Sequence, residues 1–309
     1  MGKSTHFFGQ PVYGQLIKSL DHDKIVEISR KHGGERYVKS FDGYTHLLTM
    51  LYAVIMRFDS LREIETTMIT EVRKLHHVGI ERIPKRSTLS DANARRSEEF
   101  FEEVYHNLYE ANKEKLTSDS RRNGTEEWIK RLRIIDSTTI SIFSNTIFKG
   151  VGRHPKTGRK KGGIKVHSVI HAYEGVHCDV KFTSAATNDS FMLAPNHFRH
   201  DEIESLFKQI KQNFPLRYFY GESANAIKIQ IWVTLIANLL LSVLQSTLTR
   251  RWSFSGLATM VRIVLMYYLN LENFFNNPEA DLKRMLVKAH KSTSGRGGNR
   301  LRGLVHAYK

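Results

Sequence analysis

Apolar residues recur at helical spacing through most of the first hundred positions. Ile25, Val26 and Ile28 make Asp21 to Arg30 a short amphipathic helix. Leu47, Leu48, Leu51, Tyr52, Ile55 and Met56 make Tyr44 to Phe58 a strongly apolar one. Ser60 followed three positions later by Glu63 reads as a capping box, in which side chains satisfy backbone amides the helix leaves orphaned. A helix is therefore predicted from Leu61 to Ile69. Pro84 breaks the chain, and Ser87 or Ser90 opens a further helix, Leu89 to Leu108. Short helices with tight connections suit a helix-turn-helix-like module or an all-helical packing domain, and spacing does not separate the two.

The pattern changes after a polar stretch, residues 118–127, which reads as a linker. Leu132 to Phe143 is rich in Ile, Thr and Phe and predicts a buried strand. Gly150 to Gly163 is a glycine-rich basic turn. Ile164 to Tyr173 alternates apolar with polar, Glu174-Gly175 signals a tight turn, and Val176 to Ser184 alternates again. Three consecutive strands on short connections predict an antiparallel meander. Helical spacing returns past Ala185, where Ile203, Leu206, Phe207, Ile210 and Phe214 form a stripe beside Glu204, Lys208 and Lys211. Ile229 to Leu248 imitates a membrane span. Gln230, Thr234, Asn238, Ser242 and Gln245 interrupt it, and its clean apolar run falls short of the ~20 residues a span needs. A buried core helix is expected instead, followed by another apolar helix, Ser255 to Leu269. Residues 292–309 read as a basic tail.

Composition narrows the classes. At ~100–200 residues per domain, a chain of 309 residues favours two domains. The boundaries expected are a helical DNA-binding-type domain at 1–117, the linker at 118–127, a second domain at 128–291 and the tail at 292–309. The hydrophobic share is 40%, enough for a folded core and too high for a mostly disordered chain. Cys178 is the single cysteine, which excludes a disulfide within the chain and a cysteine-based zinc site, and points to the reducing cytosol. Met1 to Gln10 holds no apolar run of the signal-peptide kind. The formal charge of +16 favours a polyanionic partner, most often nucleic acid, although ribosomal, membrane-surface and heparin-type binders share that charge.

Asp136 is the sharpest chemical signal. It lies mid-strand between Ile134-Ile135 and Ser137-Thr138, and carboxylates are seldom buried unless paired or metal-bound. It reads either as a ligand for a hard divalent cation or as an acid bonded to neighbouring hydroxyls. Glu204 reads as half of a solvated Glu204–Lys208 pair, worth a few tenths of a kcal/mol, or as a second metal ligand. Lys211, two turns further on, would then reach a phosphate near that metal. From Lys149 to Lys165 there are seven cations (Lys149, Arg153, Lys156, Arg159, Lys160, Lys161 and Lys165) and no acid. The run is either a solvated loop or a DNA-contacting hairpin whose glycines let backbone approach phosphate. His167, His171 and His177 are placed too widely along strands to make zinc the favoured reading.

Together the Asp136 strand, the basic hairpin, the next two strands and the block Ile203 to Ser223 (IESLFKQIKQNFPLRYFYGES) resemble the insertion-sequence-four family of bacterial transposases. HFFGQPVYGQLIKSL near the start and STLSDANARR (Ser87 to Arg96) fit that family's N-terminal helical region. The resemblance implies an α+β, ribonuclease-H-like catalytic core in which an Asp, Asp, Glu triad holds two Mg²⁺ or Mn²⁺ ions. It places the first Asp at Asp136, the Glu at Glu204 and a phosphate-reaching Lys at Lys211. It also implies double-stranded DNA as partner (transposon inverted repeats and target), a homodimer when ends are paired, and a nucleoid-associated cytoplasmic location.

The chain departs from the family pattern. Where the family has a Tyr and an Arg ahead of the Glu, this sequence has His197 and His200. The strand that would end in the second Asp has no counterpart. The 19 steps from Ala185 to Glu204 are too few for a strand, crossover and strand, since the crossover alone takes a dozen or more. An internal segment is therefore expected to be missing near Ile203/Glu204, with Asp179 and Asp201 the nearest spare acids. The reading that results is a DDE transposase with an incomplete core and impaired strand transfer. The alternative is a non-catalytic DNA-binding derivative that competes for transposon ends.

Overall fold

The computed structural model describes residues 9–117, 133–141, 163–171, 176–184, 210, 212–214, 216, 218–280 and 283, with backbone alone at 133–138, 141, 170 and 171. The N-terminal helices are α1 (Val12–Leu16), α2 (His22–Lys31), α3 (Gly43–Met56), α4 (Leu61–Thr70), α5 (Val72–His76), α6 (Arg86–Arg95) and α7 (Glu98–Thr117). Three strands follow, β1 (Arg133–Ser141), β2 (Gly163–His171) and β3 (Val176–Ser184), and then α8 (Ala224–Thr247), α9 (Phe254–Val264) and α10 (Leu271–Asn276). Helices with one small antiparallel sheet make an α+β fold.

Caps set the helix starts. The Asp21 carboxylate accepts from the Lys24 amide at 2.9 Å and opens α2. Asp42 does the same for α3 through Thr45 at 2.7 Å. The predicted capping box opens α4. Ser60 accepts from the Glu63 amide at 3.3 Å, while the Glu63 carboxylate takes the amide of Asp59, one residue earlier than expected, at 2.8 Å.

The predicted single helix Leu89 to Leu108 is two helices, α6 and α7. The chain turns extended at Arg96, with φ −72° and ψ 135°. The Asn225 side chain donates to the Asn93 and Arg96 carbonyls, both at 2.8 Å, and satisfies groups a continuous helix would have used. Ser97 then accepts from the Glu99 amide at 3.3 Å, and Glu98 and Glu99 suit the positive end of the α7 dipole.

The core centres on α8, a helix about 36 Å long at 1.5 Å per residue. It is capped by Ser223 and starts five residues before the predicted Ile229, because the polar first turn (Asn225, Lys228) masks the periodicity. It is apolar on every face because α3, α6, α7, α9 and β3 surround it. The polar residues that interrupt its apolar run are used inside the fold. Gln230 accepts from the Tyr220 amide at 2.9 Å and donates to the Tyr218 carbonyl at 2.8 Å, and Thr234 donates to the Gln230 carbonyl at 2.8 Å. The helix is long and apolar enough to cross a membrane, yet it lies mostly buried in this core.

Residues from both sides of the 118–127 stretch share one hydrophobic cluster that runs from Val12 to Phe275. Long-range hydrogen bonds tie its ends. The amides of Val12 and Tyr13 donate to the Tyr267 and Leu265 carbonyls at 2.9 and 2.8 Å. Arg262 donates to the Ile55 and Asn213 carbonyls at 2.9 and 3.1 Å.

Candidate functional site

The predicted meander is present, with sheet order β1-β2-β3 and both pairs antiparallel. β1 lies inside its predicted span and β3 coincides with its own, while β2 begins one residue earlier and ends two residues sooner than the predicted Ile164 to Tyr173. Burial follows the apolar positions of β2 and β3 in part only, since His167, Ser168 and His177 are buried as well. Ile164, Val166, Val176 and Val180 are buried, and Val166 and Val180 line a small cavity with Ile231 and Leu235 of α8. Phe182 of β3 packs edge-on against Trp232 of α8 at 5.7 Å between ring centroids. The Tyr105 hydroxyl of α7 donates to the His177 carbonyl, which fastens β3 to the helical body.

Asp136 occupies the middle of β1, in register with Ser168 of β2, which in turn faces Val180 of β3. The backbone that carries this acid is therefore fixed by pairing along one side of its strand. Ser168 is fully buried and hydrogen-bonded to Nδ1 of His177. Burial pushes the His177 pKa down to about 3, so the ring is neutral. His167 is also buried and shares a hydrogen bond of 2.7 Å between its Nε2 and the Thr183 hydroxyl. Both rings thus serve the strand interior. Periodicity hid the Ser168–His177 bond, because a register shift between Val169 and Ile170 brings together positions that simple alternation keeps apart.

Lys165 stands between Thr139 and Thr183 in the register and is half-buried. Asp179, one of the spare acids, pairs with Val169 and lies close enough to Glu102 and His106 of α7 to act on both electrostatically. Burial first, then Glu98, Glu99 and Asp179, raises the Glu102 pKa. Among the described residues no three His, Cys, Asp or Glu side chains converge as a metal cage. Glu204, Lys211, Asp201, His197, His200, Arg153, Lys156, Arg159, Lys160 and Lys161 lie outside the described residues, as do the linker 118–127 and the tail 292–309.

Residues 127–202 match the family model described as Transposase DDE domain. Residues 8–81 match a second model, described as Domain of unknown function (DUF4372). No curated protein and no solved structure matches the chain. The DDE match contains all three strands and Asp136, and it supports a transposase function acting on DNA. The Ser87 to Arg96 and Ile203 to Ser223 blocks fall outside both matches.

Proposed function

We propose that the chain is a DDE transposase of the insertion-sequence-four type, with a ribonuclease-H-like core that has lost the segment bearing its second Asp. The observation that carries this reading is the position of Asp136. It sits at the centre of the first strand of an antiparallel meander, inside the stretch that matches the DDE domain. The end of that match at residue 202, next to the proposed gap at Ile203/Glu204, supports the loss.

The donor chemistry suits a hard cation. Asp136 offers oxygen on a strand fixed by β2, Glu204 supplies a second carboxylate in this reading, and the buried imidazoles of His167 and His177 are already bonded to hydroxyls. Mg²⁺ or Mn²⁺ held by such carboxylates supplies activation of an attacking oxygen and stabilisation of a leaving one in phosphoryl displacement. Arg153, Lys156, Arg159, Lys160, Lys161, Lys165 and Lys211 hold the DNA backbone, and their contacts make binding fall with salt. The protein works as a homodimer on paired transposon ends in the nucleoid. The short span between Ala185 and Glu204 favours a second reading, a derivative that binds ends without joining them.

Cleavage of terminal-repeat DNA with Mg²⁺ or Mn²⁺ tests both. The wild-type chain is expected to bind the repeats and nick them weakly at best. Asp136→Asn is expected to abolish residual nicking and leave affinity unchanged. Efficient double-end cleavage by the wild type would refute the impairment, and nicking that survives Asp136→Asn would remove Asp136 from the chemistry.

A further inference from the structure

Away from the sheet, the loop of residues 33–41 and helix α6 enclose an open groove of about 390 Å³, lined by Arg36, Tyr37, Lys39, Phe41, Arg95 and Arg96 among others. That volume lies within the range of small-ligand sites, ~300–1,000 Å³. Arg36, Lys39 and Arg95 are exposed. Arg96 is only 5% exposed, and its Nε has no hydrogen-bond partner although its Nη2 donates to the Phe41 carbonyl. Its guanidinium lies 5.5 Å from the Phe41 ring centroid, which sets a largely buried positive charge in the groove wall.

The nearby acids are committed to the loop. Glu35 accepts from the Ser29 hydroxyl and from the Gly43 amide, the latter at 2.7 Å. Asp42 caps α3. Both temper the field at Arg96, and neither lines the groove.

The loop is held in shape rather than left to adapt. An added Cβ at Gly34 would lie 2.5 Å from the Ser29 hydroxyl, and one at Gly43 would lie 2.5 Å from the Ser29 Cβ. Tyr37 has φ +60°, a left-handed conformation that bulky residues rarely adopt, and its side chain is 85% exposed. The Arg36 guanidinium stacks on this ring at 5.1 Å. An aromatic platform among cations is the arrangement that takes one unstacked base with its phosphate.

We propose that this groove binds a nucleotide of single-stranded or locally unpaired DNA, with the phosphate held by Arg36, Lys39, Arg95 and the buried Arg96, and the base stacked on Tyr37. The proposal rests on the reading of DNA as the partner, and it adds a contact site independent of the β1–β3 sheet.

The test uses the full chain and a short single-stranded oligonucleotide carrying 5-iododeoxyuridine. Photo-crosslinking followed by peptide mapping is expected to place the adduct on Tyr37. This readout needs no variant and so does not depend on one folding. In anisotropy titrations, Tyr37→Ala is expected to weaken single-strand binding about five-fold or more, and Tyr37→Phe to restore it. Combining Arg36→Gln with Arg95→Gln is expected to lower the slope of log affinity against log salt by about 1.4. DNA binding by the wild type with adducts elsewhere, and with Tyr37→Ala binding as tightly, overturns the groove and leaves the DNA reading standing. Absence of binding to any DNA at low salt overturns both.

Discussion

In the helical body, α8 buries every face and its polar side chains find partners within the same fold. In the sheet, among the described residues, β1 and β3 are each paired on one side only. The contrast follows from where hydrogen bonds go. A helix satisfies its backbone inside its own segment, whereas a strand needs neighbours on both sides. The helices supply most of the shared core, to which Ile140, Ile164, Val166, Val176 and Val180 of the sheet also belong. Among the described residues, β3 is fastened to the helices by Tyr105 to the His177 carbonyl, Trp232 to Phe182, and Lys228 over the Phe182 ring at 5.6 Å.

Trp232 is where the two regions meet, and its removal is expected to have the largest effect. The ring is fully buried between Tyr105 and Phe182, and its Nε1 donates to Glu98 at 3.0 Å. Trp232→Ala is expected to cost about 3–5 kcal/mol, the range for truncating a large core aromatic, measured by urea unfolding. Hydrogen exchange sharpens the comparison. Amides of β3 should lose more protection than those of α3, and equal losses would show that the sheet is no more weakly tied than the helices.

Each region also holds a buried histidine whose pKa is pushed down. His46 of α3 is fully buried against Asn93 at 2.9 Å, and burial first, then the nearby Arg96, pushes its pKa down to about 3. His177 in β3 is lowered to about 3 by burial alone. In both, the folded pKa lies below the unfolded value near 6.5. As pH falls below that value the unfolded chain takes up protons that the folded one refuses. Stability is therefore full above about pH 6.5 and falls until the folded pKa near 3 is reached. Each group adds a slope of about 1.4 kcal/mol per pH unit inside that window. Urea unfolding between pH 7 and pH 5 should show this loss. His46→Gln and His177→Gln should each flatten it by a similar amount, and a flat wild-type profile would contradict both assignments.

What could be read from the chain follows the same divide. Ser60 and Glu63 announce α4 because capping is local chemistry, and the alternation in Val176 to Ser184 announces β3, of which Val176 and Val180 reach the core. The break at Arg96 is different, since its cause is Asn225, more than a hundred residues away. α10, capped by Asn270, is short enough for its single turn and a half to leave no period to detect. The basic groove was legible only as Tyr37 set between Arg36 and Lys39. Its other wall, Arg95 and Arg96, comes from a helix some fifty residues later. At the sheet, Ile, Thr and Phe content identifies β1 with Asp136 near its middle, and a period of two identifies β2 and β3. It cannot pair Ser168 with His177, because the register shift at Val169/Ile170 is tertiary.

Caps offer the smallest test, and they set a buried helix against an exposed one. Ser223 accepts from the Ala226 amide at 3.1 Å, and Ala226 is 2% exposed. Ser60 accepts from the Glu63 amide at 3.3 Å on the surface. Replacing a capping Ser by Ala costs about 0.5–2 kcal/mol. At Ser60, water can reach the freed amide, and Glu63 still holds the Asp59 amide, so Ser60→Ala should lie near the lower limit. At Ser223 the freed amide is shielded by the α8 environment and keeps more of its desolvation cost, so Ser223→Ala should lie in the upper half of the range. Chemical denaturation of the two variants side by side measures the difference. Equal costs would mean that water reaches the start of α8 as freely as the start of α4, and the view of α8 as a helix sealed at its N-terminal end would fail.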